Sequence, residues 1–162
     1  GFLQRVRAGM RTGDHFLLGL DLVKSPSILN PAYNDATGVT AEFNLNVLRV
    51  LNRKLDASFD LDSFEHYAYY NPREEQIEMH LVSRREQSIV IGGIDEPVHF
   101  YRGESVRTEI SRKFTRASAA SMLTAAGFDT IGWFSDANEM FGLALARVNG
   151  SAQQEQTIRT GA

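Results

Sequence analysis

The sequence predicts a mixed α/β domain, and three observations carry that prediction. An almost unbroken apolar run, HFLLGLDLV from His15 to Val23, has the composition of a buried strand. A segment from about Thr37 to Leu55 repeats apolar residues at helical spacing, and residues 64–114 fall into short stretches of the two-residue period that strands require. With 162 residues, 43% of them apolar and 10% aromatic, the chain has enough material for the core of one ordinary domain.

The first run ends in Asp21 and is expected to be a strand buried on both faces, as in a parallel sheet. In the following SPSIL, Ser25 can cap a helix and Pro26 can occupy its first position. The longer helix is expected to pack through Val39, Phe43, Val47, Val50, Leu51 and Leu55, with Glu42, Asn46, Arg49 and Arg53 between them. Residues 64–70 are aromatic-rich, Gln76 to Arg84 places Ile77, Met79 and Leu81 on one side, and Gln87 to Ile91 and Val98 to Tyr101 are further short strands. Asn71-Pro72 and Gly92-Gly93 supply turns.

A last strand, RTEISRKF from Arg107 to Phe114, closes this antiparallel insertion. Strict alternation puts Arg107, Glu109, Ser111 and Lys113 on one face of it. Thr115 then caps a helix whose stripe is Ala119, Met122, Leu123 and Ala126, and Gly127 stops it. Strands Phe128 to Phe134 and Phe141 to Val148 follow, joined by SDANEM, and residues 149–162 read as a flexible tail.

Seventeen basic against 20 acidic residues, scattered along the chain, give a net charge of −3 and no footprint for nucleic acid or an anionic membrane. The absence of cysteine excludes disulfides, thiol nucleophiles and cysteine–metal sites. No apolar run reaches bilayer length, and a cytoplasmic location is the expectation. His15, His66, His80 and His99 raise a metal reading, but neither HxxxH nor HExxH spacing occurs, so no metal ligand is assigned. Asp21 stands where ligands approach an α/β sheet, with a structural role equally open. Neither Gly19 nor Gly92-Gly93 forms the glycine-rich loop of a nucleotide site.

Five blocks in order, LGLDLVK, AYNDATGVTAEFNLNVL, FEHYAYYN, IEMHLVSR and TEISRKF, together resemble the histidine-specific methyltransferase family, which uses S-adenosylmethionine to methylate the α-amine of histidine in ergothioneine biosynthesis. The resemblance implies the C-terminal part of a Rossmann-like class I methyltransferase fold: residues 1–148 are a portion of the methyltransferase domain, and about 60–114 its β-rich substrate-recognition insertion. His15 to Val23 then resembles the fifth strand, and 128–148 the final antiparallel pair.

Family members are about twice this length, so the resemblance also implies that the motifs holding S-adenosylmethionine lie in a missing N-terminal half. Cofactor-binding and catalytic residues are therefore unassigned in this chain, and the chain alone is expected to give no turnover. The alternative is a non-catalytic binding or assembly module of the same fold that self-associates through the bare edge of its first strand.

By the same resemblance, Tyr33 corresponds to the tyrosine that bonds the histidine carboxylate, Met79 lies in the amino-acid pocket, and Glu109 and Ser111 recognise the imidazole. Imidazole can present a donor at each nitrogen, and a carboxylate and a hydroxyl two positions apart on a strand can both accept. Taken singly, Tyr33 would be a packed helix-end ring, Met79 core, and Glu109 and Ser111 a solvated strand edge. Their case rests on occurring together.

Overall fold

The computed structural model describes residues 1–150 of the 162. From residue 151 onward the expected tail lies outside the described residues. The chain divides into two compact units, one made of Gly1–Val23 with the chain from Lys113 onward, the other of Lys24–Arg112. Together they hold helices and antiparallel sheets, a mixed α/β architecture.

In the first unit, α1 (Phe2–Ala8) precedes β1 (His15–Asp21), and α4 (Arg116–Ala125) precedes the hairpin of β7 (Phe128–Ser135) and β8 (Phe141–Val148). The sheet order is β1-β8-β7, with β8 antiparallel to both neighbours. Phe16, Leu18 and Leu20 of β1 point into a core formed by Ala144, Ala146, Phe128, Val148 and, from α4, Ala119 and Leu123. Leu3 and Val6 of α1, a helix not anticipated from sequence, pack on the same core.

The expectation that β1 is buried on both faces is corrected. Its burial alternates, and Leu17 is 57% exposed. The apolar run arises because the outer face is also apolar: Leu17, Phe134, Phe141 and Leu143 are all exposed there, and the Phe141 ring lies over Gly19, where a Cβ would come within 2.8 Å of it. Asp21 has a structural partner, since its Oδ2 lies 2.7 Å from Nζ of Lys113, whose side chain is fully buried.

Thr115 caps α4 as the sequence predicts: its Oγ1 accepts from the Ser118 N–H at 3.0 Å, and Ser118 Oγ accepts from the Thr115 N–H at 3.0 Å. Gly127 follows at φ +85°, a left-handed conformation that ends the helix at little cost only for glycine. Replacing Thr115 by Ala is expected to lower stability by about 1 kcal/mol in chemical denaturation, with the slope unchanged.

The second unit carries α2 (Pro26–Tyr33) and α3 (Val39–Leu55), then β2 (Phe64–Asn71), β3 (Gln76–Ser83), β4 (Gln87–Ile89), β5 (Val98–Phe100) and β6 (Ser105–Arg112). The strands form an antiparallel sheet β2-β3-β6 and a separate hairpin β4-β5. Ser25 and Pro26 start α2 as expected, with Ser25 Oγ accepting from the Ser27 N–H. The core gathers Leu48, Phe59, Phe64, Leu81, Ile89 and Phe100.

The expected packing stripe of α3 is also corrected. Val39, Phe43, Val47, Val50 and Leu55 are exposed, and the buried residues of the helix are Asn44 and Leu48, with Leu45 and Leu51 partly buried against the core. Apolar residues surround this helix on more than one side, so their spacing alone does not choose the buried arc. An asparagine amide on that arc finds enough partners to decide it.

Candidate functional site

The site is built on the face of β2-β3-β6 that looks toward α2 and α3. Residues opposite one another in an antiparallel pair share a face, so register defines its rows. Ala68, Met79 and Glu109 form one row, and Tyr70, Ile77 and Ser111 the next. Met79 and Ile77 are buried and make an apolar floor, whereas Glu109 is exposed and Ser111 half-buried.

Tyr33 reaches this face because asparagines fasten its helix to the sheet edge. Asn34 Oδ1 accepts from the Ala68 N–H at 3.0 Å while its Nδ2 donates to the Ala68 carbonyl at 2.8 Å. Asn30 Oδ1 accepts from the Tyr70 N–H at 2.8 Å. These side chains complete the backbone hydrogen bonding of edge strand β2 in place of another strand.

The hydroxyls of Tyr33 and Ser111 then lie 2.9 Å apart. The structure thus brings together all four residues singled out from sequence: Tyr33 with Ser111 by a hydrogen bond, and Met79 with Glu109 as opposed residues of the β3-β6 ladder. The Glu109 carboxylate makes no hydrogen bond or ion pair with any described residue.

Two expectations about this strand change: it ends at Arg112, which leaves Lys113 outside it, and Arg107 leaves the shared face. The register slips between Met79 and His80, so that Glu109 opposes Met79 while Arg107 opposes His80. Thr108 is the extra residue of a β-bulge, and Arg107 moves to the far face, where its guanidinium lies 3.6 Å from Glu78. Arg107 therefore does not share a face with Glu109 and Ser111.

On that far face Glu78 is the centre of a polar cluster that sequence reasoning missed. Tyr69 Oη, Asn71 Nδ2 and Gln76 Nε2 donate to its carboxylate at 3.0, 2.9 and 3.1 Å, and His80 Nε2 is 3.4 Å away. Chiefly the Gln76 and Asn71 amides hold the carboxyl down to about 2, against the desolvation that would raise it. Tyr67, Tyr69 and His80 stack in series beside it, with ring centroids 5.7 and 5.6 Å apart. The histidines that raised a metal reading belong to no group of three or more metal-ligating side chains among the described residues.

The residues after β1 do not form a cradle for S-adenosylmethionine. Leu22, Val23, Lys24 and Ser25 include no glycine, and the Leu22 and Val23 N–H groups are used by the carbonyls of Met140 and Phe114. An apolar cavity of about 520 Å³ lies among α1, β1 and α4, lined by Phe2, Leu18, Phe114 and Met122, and includes none of the four site residues. No helix among the described residues is long and apolar enough to cross a membrane.

The face of β2-β3-β6 thus presents one carboxylate and two hydroxyls beside buried apolar residues. Residues 1–148 match the family described as histidine-specific methyltransferase, SAM-dependent, and the chain belongs to that family. It is 47% identical over 145 residues to a histidine N-alpha-methyltransferase of Mycobacterium tuberculosis, covering 90% of this chain and 45% of that protein. The corresponding enzyme of Mycolicibacterium smegmatis is 46% identical over the same shares. An L-tryptophan methyltransferase of Psilocybe serbica is 28% identical over 152 residues, 91% of this chain and 41% of that protein. The chain thus spans less than half the length of these relatives.

Proposed function

We propose that this chain is the C-terminal, substrate-recognising part of an S-adenosylmethionine-dependent methyltransferase acting on the α-amine of histidine. The observation that carries the reading is the convergence of Tyr33, Met79, Glu109 and Ser111 on one face of β2-β3-β6. Glu109 and Ser111 accept from the imidazole, Met79 floors the pocket, and Tyr33 holds the carboxylate end. The amino acid is fixed at both ends, and its amine takes one direction. That placement is the contribution the chain makes to the reaction.

The order β1-β8-β7, with an antiparallel strand in the middle, supports reading the first unit as the last three strands of a Rossmann-like sheet. The outer edge of β1 pairs with no strand among the described residues, and Leu17, Phe134, Phe141 and Leu143 are exposed on the outer face of the sheet. These features support cover by the remainder of the methyltransferase domain, with self-association in its place when the chain is alone. The cofactor is held by that remainder.

The hydrogen bond between Tyr33 and Ser111 couples the two ends of the pocket. Tyr33→Phe is therefore expected to weaken both histidine and imidazole alone, each by roughly fivefold, the loss of about one hydrogen bond of 1 kcal/mol. Calorimetric titration of each ligand checks this. Unchanged histidine affinity in Tyr33→Phe would contradict the assignment.

A further inference from the structure

Between the two ends of the proposed pocket runs a chain of hydrogen bonds that the four site residues do not account for. His66 Nε2 lies 2.8 Å from the backbone carbonyl of Tyr33, to which it can only donate. Its Nδ1 then has the lone pair, and accepts from Asn44 Nδ2 at 2.9 Å. The second proton of that amide goes to the His80 carbonyl at 3.0 Å.

Asn44 Oδ1 faces Thr108 Oγ1 at 2.5 Å, and the same hydroxyl lies 3.0 Å from the Met79 carbonyl. Asn44 is 4% exposed, a buried polar residue in mid-helix where asparagine is a poor helix former. Both its amide protons and its carbonyl oxygen are engaged, by β2, β3 and the bulge of β6. Thr108 is the bulge residue itself, immediately before Glu109.

We infer that Asn44, with His66 and Thr108, is the positioning device that sets the distance between Tyr33 and Glu109, and so the length of amino acid the pocket accepts. This rests on the function proposed above. None of the three is among the residues assigned above to contact the amino acid. Asn44 acts through the Tyr33 backbone on one side, by way of His66, and through the bulge that aims Glu109 on the other. Without the bulge, Glu109 would lose its place opposite Met79, because a slip of one residue moves a side chain to the other face of the sheet.

The test compares Thr108→Val, which removes the hydroxyl and keeps the shape, with Thr108→Ser, which keeps the hydroxyl, and adds Asn44→Ala, all in the complete methyltransferase. Thr108→Val and Asn44→Ala are expected to weaken histidine by about tenfold or more while S-adenosylhomocysteine binds within about twofold of wild type, and Thr108→Ser to restore histidine affinity. Histidine affinity unchanged in both variants, or lost in step with S-adenosylhomocysteine, overturns the inference. If the wild-type protein binds no histidine, the proposed function falls instead. The positioning claim is then decided by the amide resonances of Thr108 and Glu109: displacement by Asn44→Ala supports it, and unmoved resonances overturn it.

Discussion

Replacing Glu109 by alanine is expected to cost histidine about 10- to 100-fold in affinity, and to do so selectively. The carboxylate makes no hydrogen bond or ion pair with any described residue and stands beside the buried Met79, so its acceptor capacity is uncommitted. An imidazole N–H or imidazolium that meets it gains a charge-assisted hydrogen bond, of the order of 1–3 kcal/mol when one partner is removed. Glu109→Gln keeps an acceptor without the charge and is expected to fall between the two. A ligand with an indole in place of the imidazole is expected to lose much less. Measured dissociation constants for histidine and tryptophan in the wild type and both variants check the prediction, and equal losses for the two amino acids would contradict it.

The largest expected effect on stability comes from the other face of the same sheet. Glu78 is 5% exposed and accepts from Tyr69, Asn71 and Gln76, residues of β2 and β3, while Arg107 approaches from β6. Truncation to alanine leaves several donors facing a buried gap, and is expected to destabilise the fold by roughly 3 kcal/mol. The wild type also has an acid signature. The Glu78 carboxyl is depressed from 4.5 to about 2, so its stabilisation is complete above the unfolded value and is lost as pH falls through about 2. Urea melts between pH 5 and pH 2 are expected to show that slope in the wild type and a shallower one in Glu78→Ala. Parallel profiles would contradict the account.

The parts of this molecule legible in the sequence are those governed by local chemistry. Ser25 with Pro26, and Thr115 with Gly127, mark helix ends because their capping geometry involves only neighbouring residues. The strands 64–71 and 76–83 follow from alternation, and the four residues of the proposed site were singled out by an ordered family resemblance. What the sequence hid depends on tertiary partners. The bulge at Thr108 reverses the face of Arg107, and it is held by an asparagine 64 residues earlier in the chain. The buried arc of α3 is centred on Asn44 and Leu48 rather than on Phe43 and Val47.

Two signals in the sequence bear on those features. An asparagine inside a helix costs propensity and desolvation unless its amide is satisfied, which marks Asn44, Asn46 and Asn52 of α3 as candidates for a buried network. Glu78 lies between Ile77 and Met79 on β3, and Tyr67 and Tyr69 of the neighbouring β2 share its face, but alternation assigns that face to solvent by default. Only the convergence of five side chains on one carboxylate reverses that assignment.

The face carrying Tyr33, Met79, Glu109 and Ser111 is proposed to recognise histidine. Calorimetric titration of the complete methyltransferase with histidine and, separately, with tryptophan, each in the presence of S-adenosylhomocysteine, tests it most directly. Saturable binding of histidine at one site and much weaker binding of tryptophan are expected. Tryptophan binding as tightly as histidine, or no heat from histidine at all, would contradict it.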